Sequence, residues 1–156
     1  MKITINVNGK THVVKIESAE MLLDTLRRLG YKSVHRSCDS ASCSSCTVLL
    51  DGNPVLSCCV FSATADGRFV ETVEGLGSGE ELHPIQKAFL EEGASQCGYC
   101  IPSLIMTTKA LLAVEPDPTE SEIREMLVGN ICRCTGYEAQ TRAVKKASRY
   151  LRGDEE

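Results

Sequence analysis

Two cysteine-bearing stretches constrain this chain more than anything else in it. Gln96-Cys-Gly-Tyr-Cys-Ile-Pro102 carries Cys97 and Cys100, and Gly129-Asn-Ile-Cys-Arg-Cys-Thr-Gly-Tyr137 carries Cys132 and Cys134. A pair separated by two residues and a pair separated by one can converge on one metal centre. Four soft sulfur ligands suit zinc or iron–sulfur chemistry, and the spacing alone leaves both open. Each pair lies just ahead of a segment that reads as a helix, near Pro102 and Tyr137, where free backbone N–H groups favour negative charge. Pro102 suits a first helical turn, since its missing N–H costs nothing there.

A second group weighs the choice of metal. Cys38, Cys43 and Cys46 are spaced C-x4-C-x2-C, and Cys58 follows after a longer interval. This is the plant-type [2Fe–2S] spacing: a tight loop wraps one iron and points backbone N–H groups at sulfur, while a distant strand supplies the last thiolate. Ala41, Ser42, Ser44 and Ser45 are the small residues such a loop needs. Zinc ribbons prefer two C-x2-C knuckles, so the x4 interval favours iron. A second redox centre is then the economical reading of Cys97, Cys100, Cys132 and Cys134. Cys58 and Cys59 are adjacent, and in an extended segment their side chains face opposite ways. Cys58 is expected to reach the cluster and Cys59 to pack in the core as a small hydrophobe. The nine cysteines then divide into four, four and one.

An odd cysteine count fits a disulfide scaffold poorly. No secretory leader is expected, because Met1-Lys-Ile-Thr-Ile-Asn-Val7 alternates like a strand. No apolar run approaches a membrane span, so the expected compartment is cytoplasmic, where cysteines bind metal more often than each other. Lys and Arg number 17 against 21 Asp and Glu, a formal charge of −4, which offers no basic field for nucleic acid. The acidic excess, including the Asp154-Glu-Glu156 tail, is read as a solubility feature.

The pattern along the chain changes once. Ile3, Ile5 and Val7, then Val14 and Ile16, alternate around an Asn8-Gly9 turn and predict a hairpin. Leu22, Leu23, Leu26 and Leu29 predict a helix stopped by Gly30. Thr47–Leu50 and Val55-Leu56 read as strands joined by Asp51-Gly-Asn-Pro54, with Phe69–Val73 as another. Gly75-Leu-Gly-Ser-Gly79 reads as a hinge or linker; with no Lys-Ser/Thr after it, it is no phosphate loop. Beyond it everything is helical: Ile85, Ala88 and Phe89; Leu104, Ile105, Thr108, Leu111 and Leu112; then, after Glu115-Pro-Asp-Pro118, Ile123, Met126 and Leu127 behind a Thr119–Glu122 capping box. Thr135–Glu138 reads as a further capping box, opening a last helix with Tyr137, Val144 and Leu151 as its buried stripe. The expected class is α+β, with a mixed-sheet domain over residues 1–76 and a four-helix bundle over 77–156.

Taken together, Cys38-x4-Cys43-x2-Cys46-Thr-Val, Ser57-Cys58, Gln96–Pro102 and Gly129–Tyr137 resemble the small iron–sulfur subunit of the molybdenum hydroxylases: the xanthine dehydrogenase, aldehyde oxidoreductase and aerobic carbon monoxide dehydrogenase group. The likeness spans roughly residues 2 to 152. It implies a plant-ferredoxin-like (β-grasp) first domain and a helical second one, each with a [2Fe–2S] cluster. Molybdopterin would sit on a large partner subunit and FAD usually on a medium one, in a hetero-oligomer for which a dimer of heterotrimers is one arrangement. Gln96 and Cys134 would stand where family members contact the pterin. The family's first loop normally has glycine at the positions of Ala41 and Ser44, which permits positive φ or close cluster approach. Here Ala and Ser stand there; with all four thiolates kept a cluster is still expected, in a loop expected to be strained, with an altered potential or a lower occupancy. Ser103 also replaces a usual glycine.

No catalytic set emerges within the chain. His12, His35 and His83 are scattered, without ligand or base–nucleophile spacing, and read as surface or cap residues. The expected role is electron relay from a molybdopterin subunit to FAD or an external acceptor. A free-standing ferredoxin-like carrier, a zinc-bound structural or regulatory module, and an iron–sulfur redox sensor stand as alternatives.

Overall fold

The computed structural model describes residues 1–79 and 81–154; Glu155 and Glu156 of the acidic tail lie outside the described residues, as does Glu80. Alternation builds the first hairpin. Ile3, Ile5 and Val7 point into the core from β1 (Lys2–Val7), and β2 (Lys10–Lys15) returns antiparallel to it. Asn8 and Gly9 between them have φ of 52° and 80°, the left-handed pair whose twist matches the flanking strands. Helix α1 (Leu22–Arg28) buries Leu22, Leu23 and Leu26 and ends just before Gly30 at φ 103°.

The second hairpin is tighter than the sequence pattern implies. β3 (Thr47–Leu50) meets β4 (Asn53–Leu56) across the two residues Asp51 and Gly52, both left-handed, so the strand begins at Asn53 and includes Pro54. Proline is tolerated because β4 is an edge strand, where one unmade ladder bond faces outward. β5 (Phe69–Glu71) completes a sheet of order β2-β1-β5-β3-β4, with β1 and β5 parallel. Leu22, Leu23 and Leu26 of α1 share one core with Ile3, Ile5, Val7, Val48, Leu50 and Val70.

The chain then becomes helical: α2 (Pro84–Glu91), α3 (Ile101–Val114), α4 (Glu120–Leu127) and α5 (Glu138–Arg152). The glycine segment before them is a built turn. Ser78 and Glu81 exchange backbone hydrogen bonds of 3.0 and 3.2 Å, and an added Cβ on Gly75 would stand 2.4 Å from the Asn8 side chain. His83 caps α2, its Nδ1 accepting from Ile85 N–H at 3.3 Å while Gln86 accepts from His83 N–H at 3.0 Å. The Thr119–Glu122 capping box forms as expected.

The start of α5 departs from expectation. Tyr137 stands at φ 70° with no side-chain cap, and Thr135 Oγ1 instead accepts the Tyr137 N–H at 3.2 Å. A capping box needs an extended residue ahead of the helix, whereas Gly136 and Tyr137 are both left-handed here. Leu151 is also 46% exposed; in the last turn Tyr150 takes the core side instead.

The α3 helix is apolar on nearly every side because it is covered on nearly every side. It packs on α2 and α4 and lies against β3 and β4 of the sheet. β3 is accordingly buried on both faces: Val48 and Leu50 join the α1 core, and Leu49 joins Ile85, Phe89, Leu104, Ile123 and Val144 in the helical core. A Lys109–Glu71 ion pair closes the edge of this contact.

Candidate iron–sulfur sites

The eight cysteines singled out above fall into two sets, one in the sheet half and one in the helical half. In the first, the loop between α1 and β3 presents Cys38, Cys43 and Cys46, with the Cys38 and Cys43 sulfurs 3.1 Å apart. Cys46 is buried at the start of β3, and Cys38, Cys43 and Cys58 are half-buried. The backbone N–H of Ser40, the Cys43 thiol and the backbone N–H groups of Ser42 and Cys43 bring the Cys38 thiol down to about 6. Several N–H groups aimed at one sulfur make a ready anion site. Burial, followed by the neighbouring Cys46 and Cys59 thiols, pushes Cys58 up to about 12.

Both non-glycine loop positions that draw attention in the sequence are left-handed: Ala41 at φ 58° and Ser44 at φ 55°. An L-residue in this region costs about 1–2 kcal/mol. Contacts on either side hold the turn. The Ser44 carbonyl accepts from Thr47 N–H at 3.1 Å and from Thr47 Oγ1 at 2.7 Å, and the Cys43 carbonyl accepts from Ile131 N–H at 3.1 Å.

Cys59 does not pack in the core. Residues 57–59 form a 3₁₀ turn rather than an extended segment, so the alternation argument fails there; Cys58 stays half-buried and Cys59 is exposed, their sulfurs 3.5 Å apart.

In the second group, Cys97 and Cys100 close the turn before α3, while Cys132 and Cys134 lie between α4 and α5. Cys100 is buried and Cys132 half-buried; Cys97 and Cys134 are exposed, as is Gln96. Burial and the adjacent Cys132 push Cys100 up to about 12. Burial raises Cys132 too, but the Thr135 hydroxyl and the backbone N–H groups of Thr135 and Cys134 outweigh it and set that thiol at about 7. The Cys97 thiol beside it raises Cys134. Tyr137 folds its hydroxyl back to accept the Cys132 N–H at 2.7 Å. One cavity of about 230 Å³ is lined by all four of these cysteines and by Cys43 of the first loop.

The sulfurs meet as pairs: Cys38 with Cys43, Cys46 with Cys58, Cys100 with Cys132 and Cys97 with Cys134. Among the described residues, no three metal-ligating side chains close on one point. Two pairs per group, with N–H donors turned toward sulfur, fit a two-iron centre that divides four thiolates between its irons.

Contacts that sequence reasoning missed tie the groups together. His35 stacks on Tyr99 at 4.2 Å and its Nδ1 lies 2.8 Å from the Tyr99 carbonyl, while Tyr99 Oη donates to the Arg36 carbonyl at 3.0 Å. Tyr99 stands between Cys97 and Cys100, and Arg36 just before Cys38. Gln140, fully buried in α5, places its side-chain nitrogen 3.8 Å from Cys100 Sγ. His12 meets the Tyr31 hydroxyl at 2.9 Å. A roomier cavity of about 580 Å³ between α2 and α5 is lined by Lys87, Arg142, Lys145 and Lys146; these are paired with Glu91, Glu92 and Asp117, and no cysteine lines it.

Two family models match along the chain. Residues 5–72 match a family described as 2Fe-2S iron-sulfur cluster binding domain, and residues 72–145 match one described as [2Fe-2S] binding domain. The chain is 44% identical over 136 residues to the nicotinate dehydrogenase small FeS subunit of Eubacterium barkeri, covering 86% of this chain and 87% of that one. It is 41% identical to the xanthine dehydrogenase iron-sulfur-binding subunit of Escherichia coli O157:H7, over 87% of each. Among solved structures, a chain of quinoline 2-oxidoreductase from Pseudomonas putida 86 superposes with a TM-score of 0.92 at 39% identity, over 99% of this chain and 98% of that one. The aldehyde oxidoreductase of Desulfovibrio desulfuricans ATCC 27774 gives 0.95 at 38% identity, over 99% of this chain and 17% of that much longer one.

Proposed function

The chain belongs to the small iron–sulfur subunits of the molybdenum hydroxylase family, and on that premise we propose that it relays electrons from a molybdopterin-bearing subunit to FAD or an external acceptor. The first cluster is assigned to Cys38, Cys43, Cys46 and Cys58, the second to Cys97, Cys100, Cys132 and Cys134, in two domains that part near residue 76. When bound, a [2Fe–2S] cluster supplies a one-electron carrier. The chain's own part is to fix four thiolates, aim N–H groups at them and exclude water from one side.

The observation that carries this reading is the meeting of the two groups. Cys43 lines the same cavity as the four cysteines of the second group, and its carbonyl is hydrogen-bonded to the residue before Cys132. A relay requires such proximity, whereas two unrelated structural metals do not. The second group also has a dry side and a wet side. Cys100 and Cys132 face inward, while Gln96, Cys97 and Cys134 form an exposed rim. That rim supports a large molybdopterin subunit docking there, with Gln96 and Cys134 nearest the pterin. A medium FAD subunit then takes electrons from the first cluster. Substrate conversion belongs to the large subunit, and the assembly is a cytoplasmic hetero-oligomer. No helix among the described residues is long and apolar enough to cross a membrane.

Two measurements test the reading. The reduced full chain should show two distinct [2Fe–2S] paramagnetic signals and about four irons per chain; about two irons would sink the two-cluster form. Co-purification with large and medium subunits separates a complex subunit from a free-standing carrier, which would elute alone.

A further inference from the structure

Gln140 is 0% exposed, yet among the described residues its side-chain oxygen has no hydrogen-bond partner. Burying an amide without satisfying it is unfavourable, and an apolar side chain of similar length would fill the same space without that cost. Among the described residues the side chain's hydrogen bond runs from its nitrogen to Cys100 Sγ, 3.8 Å away across the gap between α5 and the start of α3. Only the N–H end of the amide suits this position, since a carbonyl oxygen beside a negative sulfur would be repelled. The bond becomes strongly favourable when the sulfur is anionic, as a metal-bound thiolate is. Such a donor stabilises added negative charge, and donors to ligand sulfur are one of the means by which a protein sets cluster potential.

We propose that Gln140 is a positioning residue for electron transfer, its side-chain N–H donating to the Cys100 sulfur and raising the reduction potential of the helical-domain cluster. This rests on the reading of Cys100 as a cluster ligand. Ala143 and Val144, one helical turn on, are also 0% exposed, so Gln140 lies on the buried face of α5.

The test is a redox titration of the full, cluster-loaded chain, followed by paramagnetic resonance, in the parent and in Gln140→Met, which keeps length but has no N–H. The helical-domain signal, identified by its loss in Cys132→Ser, should shift to lower potential while the other signal stays in place. Unchanged midpoints at full iron content would overturn the proposal, even if stability changed. Two signals and a full iron count in the parent test the ligand assignment separately. Should Gln140→Met lose its second cluster, the unsubstituted chain decides. With 15N in glutamine side chains, pulsed resonance of the helical-domain signal should detect a coupled nitrogen that persists in Gln96→Glu. Its absence would also overturn the proposal.

Discussion

The two cysteine groups need left-handed backbone at comparable places but obtain it from different residues. The second uses Gly98 at φ 81° and Gly136 at φ 69°, and adds Tyr137, whose hydroxyl is anchored on Cys132 N–H. The first has no glycine at its left-handed positions and places Ala41 and Ser44 there. Its strain is offset from outside the loop, by Thr47 on Ser44 and by Ile131 on Cys43. The helical half therefore makes its turns with its own glycines, whereas the sheet half is held partly by its neighbour. The difference is one of self-sufficiency.

Single ligand substitutions should divide the groups most sharply. Cys43→Ser and Cys132→Ser are each expected to remove one paramagnetic signal and about half the iron, leaving the other signal; loss of both from either variant would show that the groups do not load separately. Thiol reactivity in the iron-free chain comes next. The thiolate is the nucleophile, so Cys38 alkylation should rise to its plateau above about pH 6 and that of Cys132 above about pH 7, while Cys58 and Cys100 should resist until close to pH 12. Mass mapping of alkylated peptides at several pH values reads this directly. Equal rates at all four positions would break the pattern.

Backbone substitutions probe the comparison itself and should act differently in the two groups. Gly98→Ala and Gly136→Ala are expected to destabilise by about 1–2 kcal/mol, because both positions are left-handed. Ala41→Gly and Ser44→Gly should be neutral or stabilising by up to about 1 kcal/mol, since relief of strain competes with greater unfolded-state freedom. Denaturant titration at fixed iron loading measures all four. A loss at Ala41→Gly as large as at Gly98→Ala would refute the strain argument. Tyr137→Phe should cost about 1 kcal/mol through the lost acceptor of the Cys132 N–H, with slower cluster retention confined to the helical half.

Much of this was legible in the sequence because it is local. Asn8-Gly9 dictates its turn, Thr119 and Glu122 dictate their cap, and cysteine spacing marks both groups. The resemblance to a known family pointed to glycine at the positions where Ala41 and Ser44 prove left-handed. What could not be read depends on residues far apart in the chain. Cys59 turns outward because residues 57–59 tighten into a 3₁₀ turn, and Tyr137 is left-handed with its N–H given to Thr135 Oγ1 rather than to a helix cap. The His35–Tyr99 stack joins residues that no local pattern relates. Gln140 looks like any polar residue of an amphipathic helix until α3 is placed beside it.

The two-faced burial of β3 has a consequence for how the molecule is made. Val48 and Leu50 find their partners among residues already synthesised or soon to follow, but Leu49 packs against helices that come much later. At about 5–20 residues per second, the about 60 residues from β3 to the end of α3 keep that face of the sheet uncovered for several seconds on the ribosome. The newborn sheet half thus emerges with an apolar flank that stays open until its own C-terminal half arrives. A ribosome that stalled between β3 and α3 would hold out an aggregation-prone fragment.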